Sequence, residues 1–235
     1  MAKESLRAAR GSGRSVPVML LVGIFGSILL SSFHGNRMKV STVLPAILAA
    51  LLIGACASKP SKPLHFELRG FSVAAPVTVQ GEKPWTVAKR TPDLLILGKP
   101  GDFESEIFTV QAAVIRLPAL ASPDALSQHI KAAQARELDP KRFRVLKHDL
   151  SLRPVDGESC ALSHVEAMDR AIPNTSGPTT NMMLETLTLT CAHPKDRNIG
   201  INVTYSHQYF PEDKDPQFVE RGSVILQGLR IDGNP

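Results

Sequence analysis

The chain has 235 residues, with 27 Lys and Arg against 22 Asp and Glu, a formal charge of +5 at pH 7. Residues 1–56 carry that whole excess: six basic side chains (Lys3, Arg7, Arg10, Arg14, Arg37, Lys39) against Glu4, leaving 21 of each sign in the remainder. A neutral remainder gives no basis for a nucleic-acid partner, because that affinity comes from Lys and Arg neutralising phosphates.

Two apolar stretches come first in chain order, Val16 to Leu30 and Val40 to Ala55. Each falls short of the ~20 apolar residues of a spanning helix, and the second has the length of a signal h-region. Met38-Lys39 supplies its basic start and Gly54-Ala55-Cys56 its small-residue end. A complete export signal can therefore be read from Met38, so that residues 1–37 are an extension from an upstream start. The alternative is a membrane-inserted extension built on Val16 to Leu30.

The run Leu51-Leu52-Ile53-Gly54-Ala55-Cys56 resembles the lipobox of bacterial lipoproteins, whose cysteine is diacylated and becomes the new N-terminus. The resemblance implies that residues 38–55 are a removed signal peptide and that Cys56 is the lipid anchor to a membrane. In that family Asp after the cysteine retains the protein at the inner membrane. Ala57 stands there, which implies an outer-membrane lipoprotein facing the periplasm. The competing reading is a plain secretory signal that contains a cysteine. Ser58-Lys59-Pro60-Ser61-Lys62-Pro63 follows as a polar, Pro-rich, semi-extended spacer, giving a tether over 56–64.

Residues 65–235 have the length of a single domain with a sizeable core. Two cysteines remain, Cys160 and Cys191. An even pair in an exported chain predicts a disulfide rather than a metal or nucleophilic site, and no C-x-x-C supports redox catalysis.

The spacing predicts a first strand over His65 to Val73, ending at Pro76. Short strands Trp85 to Lys89 and Leu94 to Leu97 flank the turn Arg90-Thr91-Pro92-Asp93, and a longer β-rich run covers Glu106 to Leu117. Ser122-Pro123-Asp124 opens a helix with an N-cap, a proline at the first helical position and an acid in the first turn. Leu126, Ile130 and Ala133 form its expected buried stripe, and Pro140 bounds it. Phe143 to Leu152 reads as a strand stopped by Pro154, and Ser159 to Met168, Met183 to Ala192 and Ile199 to Phe210 as three more. Their connections, Ile172 to Thr180 and His193 to Asn198, are rich in turn residues. Asp215-Pro216 opens a final helix with Phe218, Gly222, Ile225 and Leu229 on one side. The basic cluster Lys141-Arg142-Phe143-Arg144 with Lys147 is expected on a solvated surface.

Placing Cys160 opposite Cys191 across an antiparallel pair sets Leu162 against Leu189, His164 against Leu187 and Met168 against Met183. Those apolar matches fit one buried face. Glu166 against Glu185 does not, and calls for a bulge, an exposed edge or a shifted register. The fold class read from this order is α+β, an antiparallel sheet flanked by helices. Together with Phe71-Ser72-Val73-x-x-Pro76, the two cysteines and Asn202-Val203-Thr204-Tyr205-Ser206, the order resembles the Mog1/PsbP-like α/β/α sandwich over about residues 65–230. Many bacterial lipoproteins of unknown function look like this, and the resemblance implies a fold without fixing a function.

The histidine candidates are His164, His193 and His207. His193 and His207 are expected to approach each other on neighbouring strands, and they are the only metal-ligand candidates, without a third ligand at sensible spacing. Ser163 and Ser206 each precede a histidine, but adjacent strand residues face opposite ways and cannot pair as nucleophile and base. No Gly-rich phosphate loop runs from a strand into a helix. Trp85, Tyr205, Tyr209 and Phe210 are read either as core or as the lining of a partner groove. The resulting expectation is a non-enzymatic periplasmic binding or assembly-support module with an envelope protein partner and no cofactor. The alternative is a metal-dependent or hydrolytic envelope enzyme using His193 and His207.

Overall fold

A seven-stranded antiparallel sheet forms the centre of the computed structural model, which describes residues 65–78, 81–103, 106–170, 181–232 and 234–235. The expected extension 1–37, signal 38–55, lipid-bearing Cys56 and tether 56–64 lie outside the described residues, as does the 172–180 connection. The sheet strands are β3 (Thr86–Thr91), β4 (Leu94–Pro100), β5 (Ile107–Arg116), β6 (Phe143–Val155), β7 (Glu158–Asp169), β8 (Met182–Ala192) and β9 (Ile199–Tyr209). Their spatial order is β3-β4-β5-β9-β8-β7-β6. Helices α1 (Pro123–Glu137) and α2 (Phe218–Gln227) complete the main layers. Among the described residues no helix is long and apolar enough to cross a membrane.

Residue parity decides which face each helix covers, because successive strand residues point to opposite sides. Cys160 on β7, Leu187 and Leu189 on β8, and Val203 and Tyr205 on β9 join one core with Phe218, Ile225 and Leu226 of α2. Ala161 on β7 and Ala192 on β8 have the opposite parity and pack with Leu126 and Ile130 of α1. The two helices therefore cover opposite faces, and the architecture is an α/β/α sandwich. All eleven residues of β8 are buried, as a strand covered on both faces requires.

The disulfide joins Cys160 to Cys191 across β7 and β8, with both residues fully buried. The predicted register holds throughout: Leu162 lies opposite Leu189, His164 opposite Leu187, and Met168 opposite Met183. Glu166 does face Glu185, and neither a bulge nor a shift separates them. The two carboxylates take different partners instead. Glu185 meets His164 Nε2 at 2.8 Å and accepts a 3.4 Å hydrogen bond from the Tyr209 hydroxyl, while Glu166 meets Lys214 Nζ at 2.9 Å.

Several expectations need correction. The first strand is two, β1 (His65–Leu68) and β2 (Phe71–Ala74), with Leu68 opposite Phe71. Gly70, at a φ of 78°, occupies the left-handed region that lets the chain reverse there. These strands form a separate three-stranded sheet with β10 (Arg230–Ile231), an element too short to leave a sequence pattern. Strand β6 continues through Pro154 to Val155, which an edge strand permits because one row of its N–H groups needs no partner. In α1 the buried positions are Leu126, Ile130 and Gln134 rather than Ala133. The Gln134 side-chain carbonyl accepts from Ser163 Oγ at 2.8 Å and pairs with His148 Nε2 at 2.9 Å, so a polar residue completes the stripe. Helix α2 begins at Phe218, and Asp215 precedes it as a turn residue whose carboxylate accepts from the Gln217 N–H at 2.8 Å. Arg142 of the basic cluster is not merely solvated. It forms a forked pair with the buried Asp169, at 3.0 and 2.7 Å.

Removal of the bridge tests this arrangement. On the chain-entropy relation it contributes about 3–4 kcal/mol, so Cys160→Ala/Cys191→Ala is expected to melt roughly 6–16 °C lower. Mass spectrometry of a non-reduced digest of the protein should find the two cysteines joined; free thiols at both would overturn the pairing.

Candidate functional site

His193 and His207 do not share a site. His193 follows β8 and its N–H bonds the Ile199 carbonyl, whereas His207 on β9 lies opposite Glu185. Eight positions of the ladder separate them, about 27 Å at strand rise. His193 is buried against Gly70, with its Nδ1 accepting from the Lys195 N–H at 3.2 Å and its Nε2 without a partner. His164 belongs to the Glu185 cluster described above. Among the described residues no group of three or more His, Cys, Asp or Glu is placed to hold a metal ion.

The alternation of β9 sets His207 on the α2 face and Ser206 on the other, where Ser206 hydrogen-bonds Thr109. His207 is fully buried between aromatic rings, with Phe108 3.9 Å and Tyr209 4.4 Å away, centroid to centroid. Its Nε2 lies 2.7 Å from Glu106 Oε1, while its Nδ1 is buried without a partner. Burial pushes the imidazole below its ordinary pKa, against the opposing pull of Glu106 and the more distant Asp215 and Glu185. Tyr205 and Tyr209 are core residues, and burial raises both hydroxyl pKa values. Trp85 is half-buried against Tyr205 at 6.5 Å, and neither tyrosine is available to line a groove.

Glu106 reaches His207 by folding back over the β4–β5 connection. Its Oε2 accepts from the Asp102 N–H at 2.7 Å, and its backbone carbonyl accepts from the Gly101 N–H at 2.9 Å. Position 101 must be glycine for this to occur, because a Cβ there would stand 2.0 Å from Glu106 Oε2.

Beside this connection opens a cavity of about 240 Å³, bounded by the turn before β3, the end of β4, the start of β5 and the approach to α2. Lys99 and Phe108 are opposite each other in the β4–β5 register and lie at its base. Lys99 is only 5% exposed. It meets Glu82 at 2.7 Å and lies over the rings of Phe108 (4.8 Å) and Trp85 (5.5 Å). Glu82 also takes Arg221 at 2.9 Å, and Arg221 reaches Asp215 at 3.5 Å. The Lys99 hydrogen bond holds the Glu82 carboxyl below its usual pKa, so this carboxylate is ionised at neutral pH. Lys83 donates to the Gly101 carbonyl, and Asp102 and Asp213 complete the rim.

This arrangement can hold a small polar ligand; it does not assemble a reacting group with a base. No sequence signal marks it, since Glu82, Lys99 and Arg221 are 17 and 122 residues apart along the chain and form no local pattern.

Two measurements test the geometry. A group whose folded pKa is depressed contributes stability above its unfolded value, so the His207 contribution is lost as pH falls below about 6.5. Thermal melts from neutral to acid pH should decline less steeply for His207→Gln, with His148, likewise depressed by burial and by Lys131, and at lower pH Glu82 contributing to the residual slope. An unchanged slope would overturn the assignment. Gly101→Ala should cost about 1–3 kcal/mol by overpacking, while Gly98→Ala, with nothing within 4 Å of the new Cβ, serves as the neutral control in the same denaturant titration.

No family description matches the sequence, and no curated protein matches it. Among solved structures the chain is similar to the Ran-binding protein Mog1p of Saccharomyces cerevisiae, at 9% identity over 72% of this chain and 96% of that one, with a TM-score of 0.39. A likeness at that level carries no inference about what this chain binds.

Proposed function

We propose that the chain is a lipoprotein anchored through Cys56 to the periplasmic face of the outer membrane, and that its folded part is a binding or assembly-support module rather than an enzyme. The observation that carries this reading is the fully buried Cys160–Cys191 bridge. Such bridges form and persist in oxidising compartments, the destination to which a signal ending at Cys56 would deliver the chain. Ala57 after the cysteine and the Ser58–Pro63 spacer support the outer-membrane assignment and the reach of the domain from the lipid.

The site chemistry supports binding over turnover. Its one buried histidine is stacked between rings, and the carboxylate beside it is engaged by a backbone N–H. A general base must come within hydrogen-bond reach of the proton it takes, and His207 borders protein on every side. No observation favours an enzyme using His193 and His207 together, given their separation along the sheet. The partner is either an envelope protein or a small ligand of the charged cavity.

Labelled palmitate provides the test. The wild-type chain should incorporate label and fractionate with outer membranes, and Cys56→Ser should lose both properties. An unlabelled wild type would remove the lipid anchor from the proposal.

A further inference from the structure

The cavity at the β4–β5 end of the sheet has two poles of opposite sign. On one side, Lys99 and Arg221 share the carboxylate of Glu82, Arg221 also reaches Asp215 at 3.5 Å, and Lys83 donates to a neutral carbonyl, three cations against two carboxylates. That side carries more positive than negative charge. The Lys99 ammonium has three N–H donors and, among the described residues, one hydrogen bond, to Glu82, although the residue is 5% exposed and lines the cavity. On the other side stand Asp102 and Asp213 at the rim, with Glu106 behind them hydrogen-bonded to a histidine rather than to a permanent cation. That side carries more negative charge.

A simple anion entering this space would meet the rim carboxylates, and a simple cation would meet Lys99 and Lys83. Each would leave one pole uncompensated in a partly desolvated space, where unpaired charge is costly. At about 240 Å³ the cavity falls below the ~300–1,000 Å³ of drug-sized sites, so its occupant is small. Gly101 places Glu106 two positions beyond the Lys99–Phe108 pair of the β4–β5 ladder, a rise of about 7 Å along the strands.

We infer that this cavity binds a small aminocarboxylate, its carboxylate on Lys99 and Arg221 and its ammonium toward Asp213 and Asp102. This rests on the domain being a binding module but not on its lipid anchor. Palmitate labelling can fail while ligand titration succeeds, and the reverse, so the two claims are separately refutable.

Trp85, the only tryptophan of the chain, lies against the Lys99 ammonium and serves as a built-in reporter. The full chain in detergent should be titrated with glycine, β-alanine, γ-aminobutyrate and 5-aminovalerate, read by Trp85 fluorescence and by calorimetry. At least one member should bind saturably, with butyrate and butylamine weaker by roughly tenfold, or ~1.4 kcal/mol. Lys99→Met, which keeps a long apolar stem on the rings, should lose that binding. Asp213→Asn, at a half-exposed position that leaves the core intact, should weaken it while melting like the wild type. Absence of heat and of fluorescence change for every aminocarboxylate would overturn the inference. So would equal binding of butyrate or butylamine, or unchanged binding by Asp213→Asn.

Discussion

The bridge between Cys160 and Cys191 fixes more than two side chains. In an antiparallel pair one fixed contact sets every other contact, and a slip of one residue would turn each side chain to the opposite face. With β7 locked to β8, the odd residues of β8 are committed to the α2 side. Through the β8–β9 ladder the same commitment passes to β9, so His207, Tyr205 and Val203 face α2 while Ser206, Thr204 and Asn202 face away. Through β9–β5 it passes to Phe108. The ring stack around His207 and the base of the cavity are thus downstream of a single covalent cross-link.

That commitment brings charge into the α2 side of the sheet, and the fold accommodates it by local pairing. Glu185 is 3% exposed and meets both a histidine and a tyrosine hydroxyl. Glu106 is held by a backbone N–H and by His207. Buried carboxylates without partners would be destabilising, and each of these has at least two. The opposed Glu166 and Glu185 are tolerated for the same reason, with Lys214 drawing one carboxylate outward and His164 keeping the other inside.

What the sequence reveals follows the distance over which each interaction acts. The β7–β8 register is legible because the cysteine pair gives one fixed point and periodicity supplies the rest. The α1 start is legible because Ser122 caps its own helix, accepting from the Ala125 N–H at 3.2 Å. The β1–β2 reversal is harder to see, since Phe66, Leu68 and Phe71 resemble a loose alternation, although the step from 68 to 71 breaks the period of two at Arg69-Gly70. Gln134 is legible only once Ser163 and His148 are known to face it. The cavity lies at the far limit, because Arg221 meets Glu82 across 139 residues and no window of the sequence contains both.

The small sheet has a mechanical consequence. Strands β1, β2 and β10 belong to a sheet of their own, so a pull applied ahead of His65 meets that sheet before the seven-stranded one. β1 pairs only with β2, through four positions from His65 opposite Ala74 to Leu68 opposite Phe71. A pull on its free end opens those contacts one after another, as a zipper opens, before it reaches the Arg69 N–H to Pro92 carbonyl bond that ties the hairpin to the β3–β4 turn. The first contacts to yield under such a pull are those of a four-position hairpin and not those of the cross-linked β7–β8 ladder.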